Sequence, residues 1–199
     1  MKLTMRVLPV VLLLVSTTLG KELSLGSSIP LPDLKMLDVG GKELSLNDIT
    51  GSNGLVVIFS CNTCPWVDAW EDRYVELANA YLPKGFGFVA VNSNAAYRSK
   101  GDSYDDMQSR AKKMGYTFYY TLDKQSELAR AFGATRTPHV FVFDADRKLV
   151  YRGAIDDNAK RPDKVEARYL ADALDACLAG KDVKTASTKA LGCTIKFDD

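Results

Sequence analysis

Histidine and cysteine, the residues that most often bind structural zinc, are scarce in this sequence. Its 199 residues include 1 His and 4 Cys, and no second Cys or His pair accompanies the two closely spaced cysteines near position 60. Structural zinc sites usually need two such pairs, so a zinc-stabilised fold is not expected. Four cysteines are also too few for a domain held together by disulfides. The core must therefore come from hydrophobic packing, and 46% hydrophobic residues suffice for one globular domain.

The sequence also lacks a strong charge of either sign. It contains 26 Lys and Arg against 25 Asp and Glu, which gives a formal net charge of +1 without a block of like charge. Proteins that bind nucleic acid usually carry a basic patch or tail. We therefore expect no nucleic-acid partner.

The apolar run near the N-terminus is too short to cross a bilayer as a helix. This run covers residues 7–15, follows the cations Lys2 and Arg6, and precedes small residues at 16–20. That layout is typical of a secretory signal peptide. We expect residues 1–20 to be removed after Gly20, which leaves an exported protein, periplasmic or secreted, without stable membrane insertion. An uncleaved interfacial anchor is the alternative.

Hydrophobic periodicity predicts an α/β order of elements. In chain order we expect a hairpin of residues 35–38 and 42–46, a strand at 55–59, a helix at 66–82, a strand at 86–91, an inserted helix at 104–114, an extended piece at 117–121, a helix at 126–132, strands at 139–143 and 148–152, and a helix at 165–178. This order predicts a central mixed β-sheet flanked by helices. One domain over residues 21–180 is expected, followed by a tail at 181–199 that folds back.

Cys61 and Cys64 lie between the first buried strand and the first long helix. A helix N-terminus stabilises a thiolate, and the Cys-x-x-Cys spacing allows the two sulfurs to form a small disulfide ring. The pattern therefore predicts a redox-active disulfide, with no metal and no cofactor.

The proline after the pair predicts which sulfur is the nucleophile. Proline is favoured at the first helical position and disfavours helical backbone in the preceding residue, so Pro65 predicts that Cys64 is the N-cap. The Cys64 sulfur then faces free N–H groups of the first turn. On this interpretation Cys64 attacks and Cys61 resolves; the alternative is the usual order, in which Cys61 attacks.

Two further features are candidates for substrate docking. Thr137-Pro138 precedes a predicted strand, and a tight X-Pro entry into a sheet is where cis peptides occur. Trp66, directly after the pair, is expected to form a rim where a partner polypeptide docks. We expect Asp102 to be exposed at the start of the inserted helix, and Asp156 and Asp157 to be solvated.

Together these features resemble the thioredoxin-like superfamily over most of residues 27–180. The segments 30–46, 92–94, 151–158 and 192–196 are more specifically similar to exported redoxins related to peroxiredoxins. The resemblance implies a thioredoxin-like fold with an N-terminal β-hairpin and an inserted helix. It also implies thiol-disulfide oxidoreduction on protein thiols and disulfides, together with a redox partner protein.

The resemblance to peroxiredoxins places Cys64 on their peroxidatic cysteine, so an antioxidant thiol peroxidase is an alternative function. The threonine, proline and arginine that activate peroxide in that family fall on Cys61, Val57 and Pro138, and Arg136 is a nearby substitute cation. These replacements count against efficient peroxide reduction.

A copper-binding assembly factor is a further alternative, because thioredoxin-like copper carriers use two cysteines and a downstream His. His139 would be that ligand, although those carriers separate their cysteines by three residues. An isolated His after a proline is otherwise an ordinary sheet residue.

The last two cysteines differ in their surroundings. Cys177 lies on the apolar stripe of the last predicted helix and is expected to be inert core. Cys193 is a possible third redox thiol, which either pairs with the Cys61/Cys64 couple or anchors the tail.

Overall fold

The computed structural model describes residues 21–198. The predicted signal peptide of residues 1–20 lies outside this range. Among the helices of the described part, none is long and apolar enough to cross a membrane.

Strands and helices alternate along most of the described chain. In chain order they are β1 (Met36–Asp38), β2 (Glu43–Leu44), α1 (Leu46–Ile49), β3 (Gly54–Ser60), α2 (Pro65–Tyr81), β4 (Phe86–Asn92), α3 (Tyr104–Met114), β5 (Tyr119–Leu122), α4 (Glu127–Phe132), β6 (Arg136–Thr137), β7 (His139–Phe143), β8 (Leu149–Gly153), α5 (Tyr169–Leu178) and β9 (Cys193–Thr194).

Seven of these strands form one mixed sheet in the order β2-β1-β5-β4-β3-β7-β8. β3 runs parallel to β4, and β4 runs parallel to β5, whereas β7 and β8 continue the sheet antiparallel. All seven residues of both β3 and β4 are buried, as their continuous apolar sequences require in a sheet covered on both faces. β6 and β9 form a separate antiparallel pair.

Helices cover both faces of the sheet, and successive side chains of each strand point to opposite faces. Val56 and Ile58 face a core built with α2, α3 and α5, while Val57 and Phe59 face a second core built with α1 and α4. The predicted α/β class, N-terminal hairpin and inserted helix are confirmed. This architecture is a thioredoxin-like fold.

Two of the differences from the sequence prediction have a local cause. The second hairpin strand ends at Leu44, because Ser45 and Asp48 form a capping box that starts α1. The last helix begins at Tyr169 instead of residue 165. Asp157 holds the preceding segment by accepting from the Glu166 backbone N–H at 3.1 Å.

The first described residues pack against the turn between α4 and β6. The Leu23 N–H donates to the Phe132 carbonyl at 3.0 Å. Glu22 places a carboxylate oxygen 2.9 Å from His139 Nε2 and the other 3.3 Å from Arg152. Gly133 in this turn accommodates the approach, since a Cβ there would lie 2.6 Å from the Glu22 Cα.

Candidate functional site

The two closely spaced cysteines lie in the loop that joins β3 to α2. Cys64 is the N-cap of α2, with extended backbone (φ −102°, ψ 120°), and Pro65 is the first helical residue. This is the register that the proline predicts. Cys61 and Cys64 are both buried, with 2% and 1% of their surface exposed.

The Cys64 sulfur is placed to be a thiolate. The pKa of Cys64 is lowered to about 5, chiefly by a hydrogen bond from the Cys61 thiol, which outweighs the opposing effect of burial. The Cys193 thiol and the backbone N–H groups of Val67 and Cys193 make smaller contributions in the same direction. When protonated, the Cys64 thiol donates to the Thr137 carbonyl at 3.2 Å. Cys64 is therefore largely ionised at neutral pH.

Cys61 has the opposite character. Its hydrogen bond to Cys64 and its burial raise the pKa of the Cys61 thiol far above the ordinary value, and the Asp102 carboxylate adds to this effect. The Cys61 sulfur also lies 3.3 Å from Thr137 Oγ1. Cys61 is thus the protonated partner that donates the hydrogen bond, and the Cys64 thiolate accepts it.

Thr137 contacts both sulfurs, one through its hydroxyl and one through its carbonyl. It is 1% exposed, and the Thr137-Pro138 peptide bond is cis. The structure therefore brings the predicted docking residues Thr137 and Pro138 to the cysteine pair.

A buried carboxylate supports the loop, and sequence reasoning missed it. Asp102 has no exposed surface, so its predicted exposure is wrong. It accepts from the Asn62 N–H at 2.7 Å and the Thr63 hydroxyl at 2.9 Å, both between the two cysteines. The amides of Asn92 and Asn94 donate to it at 2.9 Å each. These bonds fix the loop, since a buried carboxylate is stable only when its oxygens are paired.

Arg98 completes this polar cluster. Its guanidinium donates to Asn92 Oδ1 at 2.7 Å, to the Asp102 carbonyl at 3.1 Å and to the Asp123 carbonyl at 2.9 Å. The signal for this cluster is the polar run 92–94 directly after a buried strand, which the sequence interpretation used only for the family resemblance.

Trp66 and Trp70 form one side of the site. Trp66 is half-buried beside Cys64, its ring centroid lies 6.0 Å from that of Trp70, and Lys160 Nζ lies 5.9 Å from it. Trp70 Nε1 donates to Asp156 at 2.7 Å, and Asp156 also pairs with Arg73. Asp156 is only 4% exposed, so its predicted solvation is wrong.

Cys193 lies on β9, opposite Thr137 in the β6–β9 pair. It is half-buried, and burial, with the neighbouring Cys64 thiolate, raises the pKa of Cys193 to about 11. The structure therefore places Cys193 beside the pair. Cys177 is half-buried on α5, where burial raises its pKa to about 11.

The structure does not bring His139 to the cysteines. Its ring packs on Phe141 with 4.4 Å between centroids, and Phe141 belongs to the core on the other face of the sheet from Cys61 and Cys64. Over residues 21–198, no group of three or more His, Cys, Asp or Glu residues is arranged to hold a metal ion.

Two solved structures are similar to this chain in both sequence and architecture. An uncharacterised conserved protein of Geobacillus kaustophilus is 38% identical, with 88% of this chain and 93% of that chain covered and a TM-score of 0.81. A hypothetical protein of Sinorhizobium meliloti 1021 is 32% identical, with 90% and 97% covered and a TM-score of 0.81.

A curated protein named thiol-disulfide oxidoreductase ResA, from Geobacillus thermodenitrificans, is 26% identical over 118 residues. The match covers 59% of this chain, and the chain spans 63% of that relative's length. A model of the Redoxin family matches residues 25–170, which is most of the chain. The protein therefore belongs to the Redoxin family.

Proposed function

We propose that this protein is an exported thiol-disulfide oxidoreductase that works through a reversible disulfide between Cys61 and Cys64. The observation that carries the proposal is the position of the two buried sulfurs, which both contact Thr137 beside the N-terminus of α2. Their surroundings lower the pKa of Cys64 to about 5 and raise that of Cys61. A thiolate is the nucleophile in thiol-disulfide exchange.

The exchange begins when the Cys64 thiolate attacks one sulfur of a substrate disulfide. A Cys64–substrate bond forms, the substrate disulfide breaks, and the leaving thiolate takes a proton. Cys64 then carries no negative charge, so the interaction that chiefly raises the pKa of Cys61 is lost. Cys61 ionises, attacks the Cys64 sulfur and releases the second substrate thiol.

The same geometry allows the reverse direction. A Cys61–Cys64 disulfide is then attacked by a substrate dithiol, and the pair is reduced while the substrate is oxidised. The substrate class is protein thiols and disulfides, with a second redox protein restoring the starting state. Thr137 supports this proposal because its hydroxyl contacts the Cys61 sulfur and its carbonyl contacts the Cys64 sulfur. Trp66 offers an apolar rim for a polypeptide.

Two observations support the activity and the export. The ResA relative carries the name of a thiol-disulfide oxidoreductase. Residues 1–20 have the composition of a secretory signal peptide, and an oxidising compartment is where a redox disulfide can cycle.

The test is electron exchange with a disulfide substrate. Reduced protein is mixed with a peptide that contains one disulfide, and the peptide thiols that appear are counted. We expect one peptide disulfide reduced per protein molecule, no reduction by Cys64→Ser, and an unaltered yield with the control Cys177→Ser. Retention of full activity by a Cys61→Ala/Cys64→Ala variant would falsify the proposal.

The lowered pKa of Cys64 and its Cys-Pro sequence also favour a second function, thiol peroxidase. In that reaction the Cys64 thiolate attacks one peroxide oxygen, the O–O bond breaks, water leaves and Cys64 becomes a sulfenic acid. Cys61 or Cys193 then condenses with the sulfenic acid, which forms a disulfide and releases a second water. Arg136 donates to the Gly192 carbonyl at 2.9 Å, so its guanidinium is already engaged by the tail. Stopped-flow peroxide consumption at the rate of free cysteine would remove this function.

A further inference from the structure

The C-terminal tail covers the edge of the site that faces both cysteines. β9 pairs antiparallel with β6, with Thr194 opposite Arg136 and Cys193 opposite Thr137. The Ile195 N–H donates to the Thr135 carbonyl at 2.9 Å. The backbone next to the cysteines is therefore paired with the protein's own tail.

The tail is seated by contacts on both sides of Cys193. Before it, Gly192 lies so close to β6 that a Cβ there would be 2.1 Å from the Thr137 carbonyl oxygen. After it, Ile195 is buried in the second core, and the Lys196 N–H donates to Asn94 Oδ1 at 2.9 Å. The observed placement of the tail therefore requires glycine at position 192 and an apolar side chain at position 195.

Cys193 is a neighbour of the cysteine pair. It lies opposite Thr137, whose hydroxyl and carbonyl contact the Cys61 and Cys64 sulfurs, and the Cys193 thiol contributes to the lowered pKa of Cys64. The Cys193 sulfur also faces the backbone N–H of Trp66 in the first turn of α2. The first turn of α2, whose Val67 N–H makes a smaller contribution to the lowered pKa of Cys64, therefore also lies beside Cys193.

A polypeptide that pairs along a free strand edge is bound through its main chain, and its alternate side chains reach the adjacent pockets. β9 has this relation to β6, and Cys193 is the side chain beside Cys64. The tail thus has the position of a bound substrate segment with its cysteine at the nucleophile. β9 has only two residues, so few ladder bonds oppose its displacement.

We propose that the C-terminal strand is an intramolecular substrate and that Cys193 exchanges with the Cys61–Cys64 disulfide to form a Cys64–Cys193 disulfide. The inference rests on the proposed function, because it uses the same reactive Cys64. It adds a third redox thiol and a strand that any external polypeptide must displace.

The exchange balances without an external oxidant. The Cys193 thiolate attacks the Cys64 sulfur of the oxidised pair, the Cys64–Cys193 bond forms, and the Cys61–Cys64 bond breaks. Cys61 leaves as a thiolate and takes the proton that Cys193 lost. The same attack releases a substrate from a Cys64 mixed disulfide, so Cys193 is an alternative resolving residue.

The experiment removes Cys61 and supplies oxidised glutathione. In Cys61→Ser, glutathione first forms a mixed disulfide with Cys64, and attack by Cys193 then releases it and leaves an intramolecular bond. In Cys61→Ser/Cys193→Ser the glutathione adduct persists. Because a neighbouring thiol has an effective concentration of millimolar or more, we expect about tenfold or more adduct in the double variant at the end point. Intact mass and peptide mapping under non-reducing conditions measure both products.

The control Cys61→Ser/Cys177→Ser should behave as Cys61→Ser does. An adduct that persists equally in Cys61→Ser, with Cys193 free to alkylate, overturns the inference and leaves the proposed function standing. Absence of any adduct in the double variant overturns the proposed function and the inference with it.

A second variant tests the seating of the tail without removing a sulfur. Gly192→Ala in the Cys61→Ser background places a methyl group against the Thr137 carbonyl, so it should slow the release of glutathione from Cys64. Release at an unchanged rate contradicts the role of β9. Circular dichroism checks that each variant is folded.

Discussion

The ionisation of Cys64 can be tested by alkylation at acidic pH, where the structure predicts a large rate difference between thiols. With a pKa of about 5, about 75% of Cys64 is thiolate at pH about 5.5, against about 0.1% of an ordinary cysteine. A low pKa also weakens the intrinsic nucleophilicity, by about 40-fold over this interval. The net advantage is about 20-fold over an ordinary thiol.

The advantage over the protein's other cysteines is larger. Cys177 and Cys193 each have a pKa of about 11, and the same arithmetic gives Cys64 an advantage of about 500-fold at this pH from ionisation and nucleophilicity. The burial of Cys64 acts against this advantage, because Cys177 and Cys193 are only partly buried. Cys61 has a pKa raised further still and is buried to the same degree as Cys64. Burial therefore does not discriminate between Cys61 and Cys64, and ionisation decides.

The assay treats reduced protein with iodoacetamide and identifies each labelled cysteine by peptide mass over time. The ultraviolet absorbance of the thiolate, followed against pH, gives an independent titration with a midpoint at about 5. Cys61→Ala should raise this midpoint, because the Cys61 hydrogen bond is its largest cause, whereas Cys61→Ser retains a donor and should raise it less. Preferential labelling of Cys61, or a midpoint in the ordinary thiol range, would refute the assignment of Cys64 as nucleophile.

Three further predictions concern stability. Asp102→Asn should destabilise the protein by about 1–3 kcal/mol in urea unfolding, because a buried hydrogen-bonded acceptor is altered. It should also lower the pKa of Cys61, because the Asp102 carboxylate raises that pKa. If neither the unfolding free energy nor this pKa changes, the role of the cluster is contradicted. Trp70→Phe should cost about 1–3 kcal/mol by removing one donor from buried Asp156, while Trp66→Phe, which removes no bond to Asp156, serves as the control. Contact with His139 lowers the pKa of Glu22, so the ionised Glu22 stabilises the fold at neutral pH, and this stabilisation is lost as pH falls through the lowered pKa. Glu22→Gln should therefore lower the melting temperature at neutral pH and have little effect well below pH 4. An equal effect at both pH values contradicts this account.

Local signals were sufficient for much of the fold. α3 begins and ends where the sequence predicts, because Ser103 and Asp106 form a capping box and Gly115 takes the left-handed conformation at its C-terminus. β3 and β4 were predicted from continuous apolar runs. Pro65 alone predicted the N-cap position of Cys64, since the restriction that proline imposes is local.

The remaining features depend on residues far apart in the chain. Asp102 is buried because it accepts from the Asn62 N–H, 40 positions away, and local composition at 102–106 is that of an exposed helix start. The pairing of His139 with Phe59 places its ring on the face away from the cysteines. The position of Cys193 depends on the β6–β9 pair, which two-residue strands do not reveal in a sequence.

The turn between α4 and β6 has a practical consequence for handling the protein. Leu23 is bonded to the end of α4, Ile195 is bonded to Thr135, and the chain then continues into Thr137 beside the sulfurs. An affinity tag or surface linker fused near Ile195 would therefore be held close to the two sulfurs.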